Sequence, residues 1–276
     1  MAKVTTASIL EMKKRGEKIT ALTAYDAPMA KTLNEAGVEI VLVGDSVGNV
    51  KLGYENTIPV TLEEMLHHTK AVKRGNSTAL LVTDMPYLSY QLSNDEARRN
   101  AGRLIKEGGA EAVKLEGGIE MANTIKALVD INIPVMGHLG LTPQAIYKIG
   151  GYKIQGKTEK SQEKMITDAM VLEGAGVFAI VLECIPSDLA AIITQKVSIP
   201  TIGIGAGSET DGQILVLDDL LGLTLGPVPK FVKRYADLKS EISKSVKKFR
   251  QDVKEKKYPE PSHAPNPNEA VPQKNS

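Results

Sequence analysis

Apolar positions in this chain fall into short runs of Val, Ile and Leu that end on polar or charged residues. Five are plain: Val41–Ser46 (VLVGDS), Leu80–Pro86 (LLVTDMP), Val113–Gly118 (VKLEGG), Val135–Gly140 (VMGHLG) and Ile180–Pro186 (IVLECIP). Each has the length of a buried strand and carries Gly or Pro at or near its end. The pattern predicts strands over 19–25, 40–45, 79–84, 112–116, 134–138, 178–184, 200–205 and 214–217. Helical periodicity fills the stretches between them: 26–37, 61–74, 94–107, 119–130, 159–174 and 187–196, with a further helix over 5–15 and a last one over 235–254. Thr61 followed by Glu64 reads as a capping box, and Gly37 as a C-terminal cap.

Strands alternating with helices predict a parallel sheet. Eight of them in 276 residues fit an α/β fold of the (β/α)8 TIM-barrel type better than a doubly wound sheet, and no GxGxxG follows the first strand. The expected organisation is one barrel domain over residues 1–257 and a disordered, Pro-rich tail over 258–276. Aromatic residues make up only 4% with no Trp, so the core must be aliphatic, as the layered interior of a barrel requires. The same scarcity argues against a nucleic-acid stacking platform.

A net charge of +1 argues against nucleic acid or an acidic membrane as a partner. No stretch reaches the roughly 18 apolar residues of a membrane span. The opening residues MAKVTTASILEMKKRGEK contain no apolar signal core, and the single Cys184 cannot form an intrachain disulfide. Together these features predict a soluble, cytoplasmic protein.

Side chains alternate faces along a strand. Val41, Val43 and Asp45 therefore share a face, as do Leu80, Val82 and Asp84, then Lys114 and Glu116, Met136 and His138, and Val181 and Glu183. With those faces inward, Asp45, Asp84, Lys114, Glu116, His138 and Glu183 gather at the C-terminal mouth, where barrel enzymes keep their active sites. Four carboxylates against one lysine would repel one another unless a divalent cation resolves the conflict. Oxygen donors without a Cys pair favour Mg²⁺ or Mn²⁺ over Zn²⁺. An ion held by two carboxylates keeps positions open for a 2-oxo acid, whose carbon beside the carbonyl it would acidify. Lys114 would balance the substrate carboxylate and Glu183 would take the proton.

Other residues have tamer readings. Gly203, Gly205 and Gly207, if inward, leave room for a ligand or provide a phosphate grip. Cys184, of opposite parity to Glu183, is expected to pack against helices. His67 and His68 read as surface residues, and the Lys-rich last helix as a solvated face.

The chain resembles the ketopantoate hydroxymethyltransferases over about Thr5–Pro259. The resemblance rests on TAYD (Thr23–Asp26), VGDSVG (Val43–Gly48), KLEGG (Lys114–Gly118) and GHLGLTPQ (Gly137–Gln144). GGYKIQGK (Gly150–Lys157), LECIP (Leu182–Pro186) and IGIGAG…TDGQILV (Ile202–Val216) extend it. It implies a barrel of the phosphoenolpyruvate/pyruvate type and a homo-oligomer, commonly a decamer. It implies one Mg²⁺ per subunit and transfer of a hydroxymethyl group from 5,10-methylenetetrahydrofolate to 3-methyl-2-oxobutanoate. Asp45 and Asp84 match the family's metal ligands, and Glu116 an acid beside the metal acting through water. Ser46, Lys114 and His138 match positions that hold the oxo acid, and Glu183 matches the general base. Folate comes from the resemblance alone, and the 150–157 segment could be a lid or a subunit contact. Two rivals remain: a lyase or mutase of the same barrel type, and a barrel that binds an acidic ligand without turnover.

Overall fold

In the computed structural model, which describes residues 2–264, eight parallel strands close into a barrel in sequence order. They are β1 (Ile19–Thr23), β2 (Ile40–Val43), β3 (Leu80–Asp84), β4 (Ala112–Glu116), β5 (Val135–Gly140), β6 (Ala179–Glu183), β7 (Thr201–Ile204) and β8 (Gly212–Leu215). Helices α1 (Thr6–Arg15), α2 (Ala27–Glu35), α3 (Leu62–Gly75), α4 (Asn94–Lys106), α5 (Ala122–Val129), α6 (Ile146–Ile149), α7 (Glu159–Ala175), α8 (Ser187–Lys196), α9 (Leu217–Leu221) and α10 (Leu238–Lys254) complete the described chain. The capping box at Thr61 and Glu64 forms as expected, and Asp26 caps α2 through a bond from the Met29 N–H. Most strands are buried on both faces, which is why they read as unbroken apolar runs.

Two packed layers follow from strand parity. Inside the barrel lie Ile19, Ala21, Ile40, Leu42, Leu80, Val82, Ala112, Met136, Ala179, Val181, Ile202 and Ile214. The opposite face of each strand, including Val41, Val43, Leu81, Val113 and Ile180, packs outward against the helices. Helix α1 plugs the N-terminal end: its Ile9 is wholly buried in the inner layer, and Lys13 pairs with Asp211 at 2.9 Å. With the bottom sealed, the C-terminal mouth is where a ligand can enter.

Two expectations change. In β2 the inward residues are Ile40 and Leu42, not Val41 and Val43. Asp45 reaches the mouth because the chain leaves the sheet after Val43 and turns, so strand parity no longer governs it. Gly203 faces outward, where an added Cβ would lie 2.7 Å from Thr210 Oγ1. Gly205 and Gly207 are packed against Phe231 and Ser187, so none of the three opens space inside the barrel. Gly203 lies in β7 between Ile202 and Ile204, which take the inner face, and Gly205 and Gly207 lie in the helix-free connection over residues 205–211.

Helix α10 buries none of its residues in this chain. Along it Ile242, Val246, Phe249 and Val253 form one exposed apolar stripe, so the face is not solely a lysine surface. Of the tail expected over 258–276, Pro261–His263 form a single 3-10 turn, and 265–276 lie outside the described residues.

Candidate active site

Strand register assembles the site. Asp84 stands opposite Lys114, Glu116 opposite His138, and Gly140 opposite Glu183. Asp45, Asp84, Lys114, Glu116 and His138 are all buried, while Glu183 retains partial exposure at the opening. All six line one cavity of about 770 Å³ with Ser46, whose hydroxyl is 2.9 Å from that of Tyr25. The expected constellation therefore converges at one mouth.

Its contacts are specific. The Asp45 N–H donates to Asp84 Oδ2 at 3.0 Å, which ties the Asp45 main chain to the Asp84 carboxylate. The Lys114 ammonium lies 2.8 Å from Asp84 Oδ1 and 3.4 Å from His138 Nδ1. His138 Nδ1 is 3.5 Å from Glu116 Oε1, and its Nε2 is 3.2 Å from Glu183 Oε2. That last contact is not aligned as a hydrogen bond, so His138 Nε2 is a buried polar atom free for a ligand oxygen.

Charge explains the pKa shifts. Burial, with the Asp84 and Glu116 charges, pushes the Asp45 carboxyl up to about 8, against the pull of Lys114 and the Gln144 amide. Burial opposes the Lys114 charge, yet Asp84, Glu116 and Asp45 together raise its pKa. Burial and Lys114 disfavour protonated His138, but Glu116 and Glu183 outweigh them and bring it to about 9. Fully ionised, four carboxylates face two cations, and the excess of two negative charges is what one divalent ion would neutralise.

Among the described residues no three His, Cys, Asp or Glu side chains form a complete cage for a metal. This donor set fits Mg²⁺ all the same, because that ion is usually held by one or two carboxylates with water and substrate completing its octahedron. Asp45 and Asp84 fit as the carboxylate pair, with Glu116 beside them.

Much of the remaining wall is apolar, formed by Val50, Tyr152, Leu215, Leu225, Pro227 and Phe231, with polar positions at Asn49, Glu55, Thr57, Asp219, Thr224 and Lys230. Tyr152 belongs to the 150–157 segment, which runs along the mouth and donates from the Gln155 N–H to the Cys184 carbonyl at 3.0 Å. Cys184 itself lines the cavity rather than packing against helices: it follows the end of β6 with φ +53°, so parity does not apply to it. Burial and the Glu183 charge raise its thiol pKa, which makes it a poor nucleophile. His67 is exposed as expected, but His68 is half-buried with Nδ1 2.8 Å from the Tyr25 carbonyl.

Two residues of the site escaped sequence reasoning, Gln144 and Tyr90. Gln144 donates from Nε2 to Asp45 Oδ2 at 2.9 Å and from its N–H to Glu116 Oε2 at 3.1 Å. The Tyr90 hydroxyl donates to Gln144 Oε1 at 2.8 Å and accepts from the Glu116 N–H at 3.2 Å. Both sit in loops beyond strand ends, where no periodicity marks a buried position. The only signal is that Gln144 closes the GHLGLTPQ motif.

Gly140 is needed for backbone reasons. Its φ is +97°, and an added Cβ would lie 2.1 Å from the Glu183 carbonyl oxygen. Gly140→Ala should cost roughly 1–3 kcal/mol from the positive φ alone, with a further loss from displacing the end of β6. Urea unfolding of the variant checks this; an unchanged midpoint and slope would show that the strand end tolerates the shift.

Comparison with known proteins gives a family and a fold type. The family profile described as ketopantoate hydroxymethyltransferase matches residues 3–261. A 3-methyl-2-oxobutanoate hydroxymethyltransferase of Carboxydothermus hydrogenoformans is 56% identical over 264 residues, covering 96% of each chain. One from Clostridium botulinum (strain Loch Maree) is 57% identical over 260 residues, covering 94% of each. Among solved structures, a phosphonopyruvate hydrolase in complex with oxalate and Mg²⁺ superposes with a TM-score of 0.61 at 13% identity, covering 96% of this chain and 92% of its own. A phosphoenolpyruvate phosphomutase from Streptomyces platensis gives 0.60 at 13% identity, covering 91% and 88%. At that identity the structures establish the barrel type alone.

Proposed function

The chain belongs to the ketopantoate hydroxymethyltransferase family, and on that basis we propose that it transfers a hydroxymethyl group from 5,10-methylenetetrahydrofolate to 3-methyl-2-oxobutanoate, giving 2-dehydropantoate. The observation that carries this reading is the buried set of Asp45, Asp84, Glu116, Lys114 and His138 beside the half-open Glu183. A divalent ion, Mg²⁺ by its donor set, would be held by Asp45 and Asp84 with Glu116 acting through water, and when bound would polarise the keto oxygen of the oxo acid.

The chain's own groups do the rest. Lys114, with its pKa raised, is a fixed cation for the substrate carboxylate. His138 Nε2 and the Ser46 hydroxyl donate to oxygens of the oxo acid. Glu183 removes the C3 proton, leaving an enolate; as its C3 bonds the one-carbon unit, that carbon's bond to folate N10 breaks and N10 takes a proton. Water oxygen then bonds the same carbon as its bond to N5 breaks, N5 takes a proton from the water, and tetrahydrofolate leaves. A cavity of about 770 Å³ far exceeds a five-carbon acid, and its apolar wall supports a second, flat substrate beside the first.

Hydrogen exchange at C3 of 3-methyl-2-oxobutanoate in D₂O, with and without EDTA, tests the proposal. Exchange that requires the metal, together with 2-dehydropantoate formation when the folate is added, is the expected result. Binding of the oxo acid with neither exchange nor product would overturn it in favour of a non-catalytic barrel. Because the metal must displace the Asp45 proton, divalent affinity should rise with pH up to about 8 and level off above it. Mn²⁺ titrations from pH 6 upward measure this; a flat profile would remove Asp45 from the ligand set.

No described helix is long and apolar enough to cross a membrane. We infer a homo-oligomer in the cytoplasm, as the resemblance implies, and the bare apolar stripe on α10 supports association between copies. Val246→Asp combined with Phe249→Asp should lower the assembly mass in sedimentation velocity. An unchanged mass would place the interface elsewhere.

A further inference from the structure

Gln144 stands on the 3-10 turn Pro143–Ala145 after β5 and is only 6% exposed, yet every polar group of its side chain is satisfied. Its two amide protons reach Asp45 Oδ2 at 2.9 Å and the Met85 carbonyl at 3.0 Å. The Met85 carbonyl can only accept, and the Tyr90 hydroxyl donates to the opposite end at 2.8 Å, so the orientation of the amide is determined. The main-chain N–H of the same residue holds Glu116 Oε2 at 3.1 Å. One neutral residue thus grips one oxygen of each of two neighbouring acids.

We infer that Gln144 is a positioning residue that sets the size preference of the metal site, by leaving Asp45 a single oxygen to offer and so favouring a small octahedral ion over calcium. The inference rests on the metal reading proposed above. Calcium takes six to eight oxygens at about 2.3–2.6 Å and readily accepts a carboxylate through both of them, whereas magnesium holds an octahedron at about 2.0–2.1 Å. To serve calcium in that way Asp45 would have to share Oδ2 between the ion and the Gln144 amide, which weakens both contacts. Asp84 is engaged at both oxygens, with Oδ2 taking the Asp45 N–H at 3.0 Å and Oδ1 2.8 Å from the Lys114 ammonium, so chelation through both would cost it those contacts too. An acidic residue at position 144 would repel the neighbouring acids and a cationic one would compete with the ion, so an amide is the donor that restrains without doing either.

The test is metal competition, read without turnover. Bound Mn²⁺ is followed by the electron paramagnetic resonance of the free ion, with 3-methyl-2-oxobutanoate present, and displaced by Mg²⁺ or Ca²⁺. The wild-type chain should favour Mg²⁺. In Gln144→Met, similar in volume but without donors, the Mg²⁺ to Ca²⁺ preference should fall by about tenfold, the size expected for one hydrogen bond to a charged group. Tyr90→Phe removes only the donor to the amide oxygen and should shift the ratio the same way by about threefold; it carries the test if Gln144→Met does not fold. A wild-type ratio in a folded Gln144→Met, or in Tyr90→Phe where that variant stands in, would overturn the inference. Asp45→Asn separates the two readings. If that variant binds Mn²⁺ as the wild type does, the metal site itself is wrong and the inference falls with it. If it loses Mn²⁺ while the Gln144 ratio stays unchanged, only the role of Gln144 falls.

Discussion

Asp84→Ala should lose divalent binding and cut 2-dehydropantoate formation by about 10³-fold or more, because a Lewis acid at a developing enolate is worth several kcal/mol and each 1.4 kcal/mol is tenfold in rate. Asp84 does three things in the mouth. It accepts the Asp45 N–H, pairs with Lys114 at 2.8 Å, and in the proposed function would offer one of the two carboxylates for the ion. Its removal leaves Lys114 a buried cation with its nearest partner gone, which costs about 3–5 kcal/mol where a buried pair is broken. Asp84→Asn, which keeps the shape and an acceptor, separates the two effects. It should stay folded by circular dichroism and still fail to bind Mn²⁺. Near-normal turnover in a folded Asp84→Asn would remove the residue from the metal site.

The second large effect is expected at Glu183. Glu183→Gln should slow metal-dependent C3–H exchange by about 10²–10⁴-fold, the usual contribution of a positioned general base, while leaving divalent affinity as it was. The geometry favours this split. Glu183 is the one acid of the group that stays partly open to the cavity, and its nearest charged neighbour is His138 Nε2 at 3.2 Å. Exchange continuing at the wild-type rate would show that another group takes the proton.

Much of the barrel was legible because strand and helix periodicities alternate along the chain. The bounds of β4 and α8 agree residue for residue with the periodicity, since Gly, Pro and apolar residues mark both ends. Parity placed Asp84, Lys114, Glu116, His138 and Glu183 on inward faces because each lies within a regular strand. It misassigned Val41 and Val43 and explained Asp45 for the wrong reason, since that residue lies two positions past the end of β2. The same limit hid Cys184, one residue past β6, and the loop residues Tyr90 and Gln144. Gly203 misled for a different reason: parity gives two faces but does not say which is inside, and only closure of the barrel decides that.

What the amino-acid order determined by itself was the set of local elements and the residue types at their ends, because periodicity, caps and stop signals act over a few neighbouring residues. Tertiary structure alone decided which face turned inward, how the loops brought Gln144 onto Asp45 across 99 positions of chain, and that the acids share one buried mouth. Those outcomes depend on barrel closure and on the low dielectric of a sealed interior, and both exist only once all eight strands have met.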